Sequence, residues 1–265
     1  MDENATVKLH SAPVHLIIGA TGGVGSDLAR RLHQTGAKLI LAGRDEAVLA
    51  AMAQELEGDY VLCDATSMSQ MRDCIESALV IHGRLDGVAN CVGSVLLKPA
   101  HLTTEEEWNN VIATNLTSAF ATVKHAAKAM MGKGGSIVLV SSCAAKVGLT
   151  NHEAIAAAKA GVEGLVRSAA ATYSRHQIRV NCVAPGLLRT KMTKAITSNE
   201  TQLQASLDMH PISRVGEASD VSTVMEWLIG QGSSWVTGQS ISVDGGIASV
   251  RTARVQRPAA SAGAH

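Results

Sequence analysis

Residues 19–25 read Gly19-Ala20-Thr21-Gly22-Gly23-Val24-Gly25, four glycines in seven positions. Such a run lets the backbone turn tightly and approach a pyrophosphate. A helix that starts there aims free N–H groups and the positive end of its dipole at the anion. Gly19, Thr21, Gly23, Val24 and Gly25 are therefore candidate dinucleotide contacts, the alternative being a plain glycine turn. A second choice is made at Leu41-Ala42-Gly43-Arg44-Asp45. A carboxylate at the end of a second strand accepts a ribose 2′-hydroxyl, whereas an arginine pairs with a 2′-phosphate. Gly43 stands in the carboxylate's place with Arg44 beside it, which favours NADP over NAD. Otherwise Arg44 is a solvated surface charge and Asp45 no more than a helix cap.

These residues need a scaffold, and the chain alternates short β-like runs with amphipathic ones. His15–Gly19 reads as a strand, followed by a helix in which Val24, Leu28 and Leu32 recur every four residues before Gly36. Lys38–Ala42 is a second strand, and Asp45 caps a helix carrying Val48, Leu49, Met52 and Leu56 that Gly58 closes. Tyr60–Cys63, a helix over Gln70–Ile81 and the strand Leu85–Ala89 follow. Thr104 and Glu107 have capping-box spacing and open a long helix through Trp108, Ile112, Leu116 and Phe120. Ser136–Val140, the alanine-rich helix Glu153–Tyr173, Ile178–Val183, a helix over Val221–Ile229 and Ser240–Val243 complete the pattern. Repeated alternation of this kind predicts a single-domain, doubly wound Rossmann-type α/β fold, a parallel sheet with helices on both faces. The expected domain spans 13–248, between an N-terminal extension, 1–12, and a mobile tail, 249–265; the polar, weakly periodic stretch 187–216 is the expected lid.

Apolar residues form 46% of the chain and aromatics only 2%, so the core has to be aliphatic, which suits strands buried on both faces. A net charge of zero leaves no electrostatic footprint for nucleic acid or an acidic membrane. Five scattered cysteines without a CxxC pair predict reduced thiols and no metal site. The polar start MDENATVKLHSAP does not read as a secretory signal, and no run approaches the ~18 apolar residues of a membrane span. A cytoplasmic protein with no membrane partner is expected.

Taken in order, these motifs resemble the short-chain dehydrogenase/reductase family over roughly residues 13–247. GATGGVG is similar to its GxxxGxG loop, and Asp64 resembles the residue that contacts adenine. Asn90-Cys91-Val92-Gly93 resembles the NNAG segment, and Asn115 the helix asparagine that supports a proton-relay water. Pro185-Gly186 followed by Thr190 resembles the segment that holds the nicotinamide carboxamide, and Val243-Asp244-Gly245-Gly246 resembles the family's usual ending.

The resemblance implies hydride transfer between a nicotinamide and a carbonyl or alcohol, with a serine polarising the oxygen, a tyrosine moving the proton and a lysine holding the ribose. Ser142 matches the serine and Lys159 the lysine. The tyrosine position, thirteen residues after Ser142 and four before Lys159, is Ile155. Neither tyrosine of the chain fills in: Tyr173 lies about 27 Å further along the same helix, and Tyr60 begins the third strand at the far end of the sheet. His152, one turn before position 155, is a candidate substitute acid because imidazole titrates near ~6.5; its alternative is a polar residue at the helix entrance, with Asn151 or His152 merely capping. Cys143 reads as packing.

Two functions stay open: an atypical NADP-dependent oxidoreductase acting on a small carbonyl or alcohol, and a non-catalytic NAD(P)-binding sensor on the same fold. The scarcity of aromatics argues against a stacked ring substrate. The resemblance also implies a homodimer or homotetramer formed through the helices near Trp108–Met131 and Glu153–Tyr173, where Ala154–Ala160 permits close approach.

Overall fold

The computed structural model describes residues 12–251, so residues 1–11 of the expected extension and 252–265 of the expected tail lie outside it. Seven strands, β1 (Val14–Ile18), β2 (Lys38–Gly43), β3 (Asp59–Leu62), β4 (Gly87–Asn90), β5 (Gly135–Val140), β6 (Ile178–Pro185) and β7 (Ser240–Val243), build one sheet. Their order is β3-β2-β1-β4-β5-β6-β7, and every pairing is parallel.

Successive side chains of a strand point to opposite faces, and here both faces are covered. Leu16, Ile18, Ile40 and Ala42 pack against α3 (Met68–His82), α5 (Ser118–Met130) and α6 (Glu153–Tyr173). Ile17, Leu39 and Leu41 pack on the other face against α1 (Gly23–Gln34), α2 (Glu46–Glu55) and α9 (Ala218–Ile229). That double burial is why Leu16–Ile18 of β1 and Leu39–Ala42 of β2 read as apolar runs. Among the described residues no helix is long and apolar enough to cross a membrane.

Expected caps form. Asp45 accepts the Val48 N–H at 3.2 Å, and Thr104 with Glu107 closes both bonds of the capping box on α4 (Glu105–Ile112). Three expectations change. The long helix after Thr104 is broken by a π-turn over Ala113–Thr117, because the Asn115 side chain donates to the Val111 carbonyl at 2.9 Å and so competes for a helical acceptor. The stretch 187–216 holds α7 (Lys194–Thr197) and α8 (Glu200–Met209), the latter capped by Asn199, which accepts from the Gln202 N–H at 3.0 Å. Only Ser206 of α8 is buried, so no apolar stripe announced it. At the end of α2 the left-handed residue is Glu57 rather than Gly58, whose absent Cβ instead lets the backbone pass the Leu39 carbonyl.

Candidate active site

A cleft of about 320 Å³ opens at the C-terminal ends of the central strands, beside the point where strand order reverses between β1 and β4. Open α/β sheets bind ligands there because the diverging connections leave a crevice. Thr21, Gly23 and Val24 of the glycine loop line it, as do Ser142, His152, Lys159, Pro185, Gly186 and Thr190. Gly19, Gly25, Arg44, Asp64, Asn90 and Asn115 are not part of its wall.

The loop's geometry fits a pyrophosphate. Gly19 has φ +79°, and a Cβ on it would lie 2.9 Å from the Val92 side chain. A Cβ on Gly25 would lie 2.3 Å from the Gly19 carbonyl, so only glycine lets α1 leave β1 this closely. The first helical bond is Ser26 N–H to Gly22 O, which leaves the N–H groups of Gly23, Val24 and Gly25 ahead of it. α1 has neither a side-chain cap nor an acidic residue in its first turn, so its N-terminus is suited to an anion.

Arg44 is exposed just beyond β2 and makes no hydrogen bond or ion pair among the described residues. Asp64 takes the Thr66 N–H at 3.0 Å and the Thr66 hydroxyl at 2.8 Å. These bonds, helped by the Arg44 charge, hold its carboxyl below the usual range.

On the opposite wall, β5 delivers Ser142 and α6 delivers the rest. Ser142 Oγ accepts the Ala144 N–H at 3.2 Å, so its own hydrogen is available to a ligand oxygen. Lys159 is buried and donates to the Val140 carbonyl at 2.8 Å; burial pushes its pKa down to about 8. Ile155 lies in the wall and packs with Val111, Ala154 and Ala158. Neither Tyr60 nor Tyr173 lines the cleft. His152 precedes α6 without capping it through its side chain. Its Nδ1 meets the Thr150 carbonyl at 2.7 Å; a carbonyl only accepts, so Nδ1 carries the proton and Nε2 is left for the cleft.

Two asparagines serve the protein. Asn90 donates to Thr122 Oγ1 at 3.0 Å and accepts the Val92 N–H at 2.9 Å, fixing the chain beneath Gly93. Both amide hydrogens of Asn115 are used, on Ser94 Oγ and the Val111 carbonyl, while its Oδ1 accepts the Ser94 N–H at 3.1 Å. Asn115 and Lys159 converge on Gly93, where a Cβ would stand 3.3 Å from Asn115 Oδ1 and 3.6 Å from Lys159 Nζ. Desolvation raises Cys143 to about 11, so it is a neutral packing thiol. Ser94, Leu149, Met192, Met209 and the buried His210 also line the cleft; they lie in the loops expected to form its mouth, 94–101, 143–151 and 187–216, though no motif singled them out one by one.

Comparison with known proteins follows the same outline. The family described as Enoyl-(Acyl carrier protein) reductase matches residues 19–248. A 3-oxoacyl-(acyl-carrier-protein) reductase of Chlamydia pneumoniae is 32% identical over 242 residues, covering 88% of this chain and 95% of the relative. A short-chain type dehydrogenase/reductase of Mycobacterium ulcerans superposes with a TM-score of 0.85 at 32% identity, covering 89% of this chain and 90% of its own. An actinorhodin polyketide ketoreductase solved with NADPH gives a TM-score of 0.84 at 29% identity, covering 90% and 98%.

Proposed function

This chain belongs to the short-chain dehydrogenase/reductase family of NAD(P)-dependent oxidoreductases, and on that premise we propose that it is an NADP-dependent enzyme for a small, largely apolar carbonyl or alcohol that works without the family's tyrosine. The observation that carries this reading is the presence of Ser142, His152 and Lys159 in one cleft with the glycine loop. Bound NADP would supply or accept the hydride. Gly19, Thr21, Gly23, Val24 and Gly25 would hold its pyrophosphate, Arg44 its 2′-phosphate and Asp64 its adenine. Asn90 would shape its path, while Lys159 would hold its ribose and Pro185, Gly186 and Thr190 its carboxamide. Arg44, exposed beyond β2 and in no ion pair among the described residues, supports NADP over NAD.

Ser142 donates its free hydrogen to the substrate oxygen. His152, oriented by Thr150, would present Nε2 to the reacting oxygen: as the neutral ring it takes the proton of an alcohol, and as the imidazolium it gives the Nε2 proton to the oxygen of a carbonyl being reduced, a role the isoleucine at the tyrosine position cannot fill. The Lys159 ammonium adds positive charge where negative charge develops on oxygen. Asn115 acts by holding Ser94 and Gly93 beside Lys159, since its own amide hydrogens are committed. Leu149, Ile155, Met192 and Met209 make the substrate end aliphatic, and the 187–216 segment would close over it as a lid. Trp108 and Phe120, 42% and 48% exposed on α4 and α5, support a homodimer or homotetramer through those helices.

Ile155 favours a second reading, a cofactor-binding protein that does not turn over. The test is deuterium transfer from labelled NADPH to a panel of aldehydes and ketones, with Ser142→Ala, His152→Ala and Lys159→Ala alongside. Transfer by the native protein that these variants lose is the expected result. Tight NADPH binding with no transfer to any acceptor would replace it with the second reading.

A further inference from the structure

His210 follows α8 and is 5% exposed, although no step of the proposed reaction uses it. Its Nδ1 lies 2.6 Å from the Ser206 carbonyl, so Nδ1 bears the proton and Nε2 is an acceptor in the neutral ring. Nε2 receives the Leu187 N–H at 3.4 Å. The ring is also wedged between two glycine turns. A Cβ on Gly186 would stand 2.8 Å from Nε2, and one on Gly245 would stand 3.3 Å from Cδ2. One side chain thus ties α8 to the ends of β6 and β7, and it lines both the cleft and the neighbouring cavity bounded by Arg214, Asp220 and Asp244.

We propose that His210 is a positioning residue that sets the Gly186–Leu187 turn for the nicotinamide end of the cofactor. This rests on the reading above that the turn carries that end. Leu187 N–H needs an acceptor in a half-buried setting, and an imidazole whose other nitrogen is pinned to Ser206 supplies it at one fixed place. Gly186 has no side chain, so the ring itself forms the support beneath the turn. When the acceptor is lost, the turn is free to shift, and the nicotinamide contacts shift with it, while the adenine and phosphate contacts at the other end of the cleft do not.

The test separates the two nitrogens and the two ends of the cofactor. In His210→Asn an amide stands near the Nδ1 position and still reaches Ser206, but nothing reaches Leu187. In His210→Gln the amide oxygen extends to the Nε2 position and restores the acceptor. Dissociation constants at fixed pH are measured by fluorescence for NADPH and, by competition, for adenosine 2′,5′-bisphosphate, which lacks the nicotinamide. The expected result is NADPH binding weakened roughly tenfold in His210→Asn and near native in His210→Gln, with bisphosphate binding unchanged in both. Native NADPH affinity in His210→Asn, equal losses in both variants, or parallel weakening of the two ligands would overturn the assignment. A native protein that binds the bisphosphate as tightly as NADPH would remove the reading of the turn itself, and the role of His210 with it.

Discussion

The ammonium of Lys159 donates to the carbonyl of Val140 at 2.8 Å from inside a wall that leaves it 5% exposed. Burial lowers its pKa from 10.5 to about 8, so below pH 8 the folded state holds a charge that the unfolded chain solvates better. Between about pH 8 and 10.5 the unfolded state binds more protons, and stability attributable to this group rises with pH. Lys159→Met is expected to be more stable than the native protein at pH 7 by about 2 kcal/mol, the desolvation penalty less one lost hydrogen bond. The gap should close as pH approaches 10.5. Urea midpoints of both proteins across that range decide it; a gap independent of pH would mean the charge is not what burial penalises.

Position 155 gives the sharpest test of the proposed chemistry. Ile155 stands four residues before Lys159 and is packed by Val111, Ala154 and Ala158. Ile155→Tyr places a phenol beside the lysine, and a general acid is worth ~10²–10⁴ in rate. We expect kcat for label transfer to rise within that range, with a stability loss of about 1–3 kcal/mol from the larger ring. An unchanged kcat in a folded variant would show that position 155 does not face the reacting oxygen.

How far residues announce their places depends on what buries them. Leu39–Ala42 were legible because helices cover both faces of β2, which makes an apolar run obligatory. The glycine loop was legible because Gly19 and Gly25 each answer a local steric demand. The turn at Asn115 was not, since it is made by one side chain reaching back to the Val111 carbonyl, a contact that leaves the apolar spacing on either side unchanged. α8 lies mostly exposed over the cleft, so its pattern carried no period. His210 acquires meaning only from Gly186 and Gly245, which precede it by 24 and follow it by 35 residues.

Arg44 should set cofactor choice. It is exposed, forms no ion pair among the described residues, and is close enough to Asp64 to lower that carboxyl. Charge-assisted bonds to a phosphate are worth about 1.5–3 kcal/mol, so Arg44→Ala should weaken NADPH binding by roughly 10- to 100-fold. NADH binding should change by less than about twofold, because it has no 2′-phosphate to lose. Parallel titrations of both nucleotides check this, and equal losses would make Arg44 a general electrostatic contributor.

His15 should govern the acid limb of stability. It sits on β1, 4% exposed, with Nδ1 lacking a hydrogen-bond partner among the described residues, and the Cβ that Gly87 lacks would lie 2.4 Å from that nitrogen. Burial pulls its pKa from 6.5 to about 4, against the opposing pull of Asp86. A histidine depressed in the native state binds its proton in the unfolded chain first, so stability falls as pH drops from about 6.5 to 4. Between pH 7 and 5 this one group should cost about 2 kcal/mol. His15→Leu, which keeps the site filled and does not titrate, should flatten that part of the profile while remaining close to native stability at pH 7. Urea midpoints at the two pH values measure the difference. An equally steep loss in the leucine variant would assign the acid sensitivity to other groups, and the neutral buried ring to packing alone.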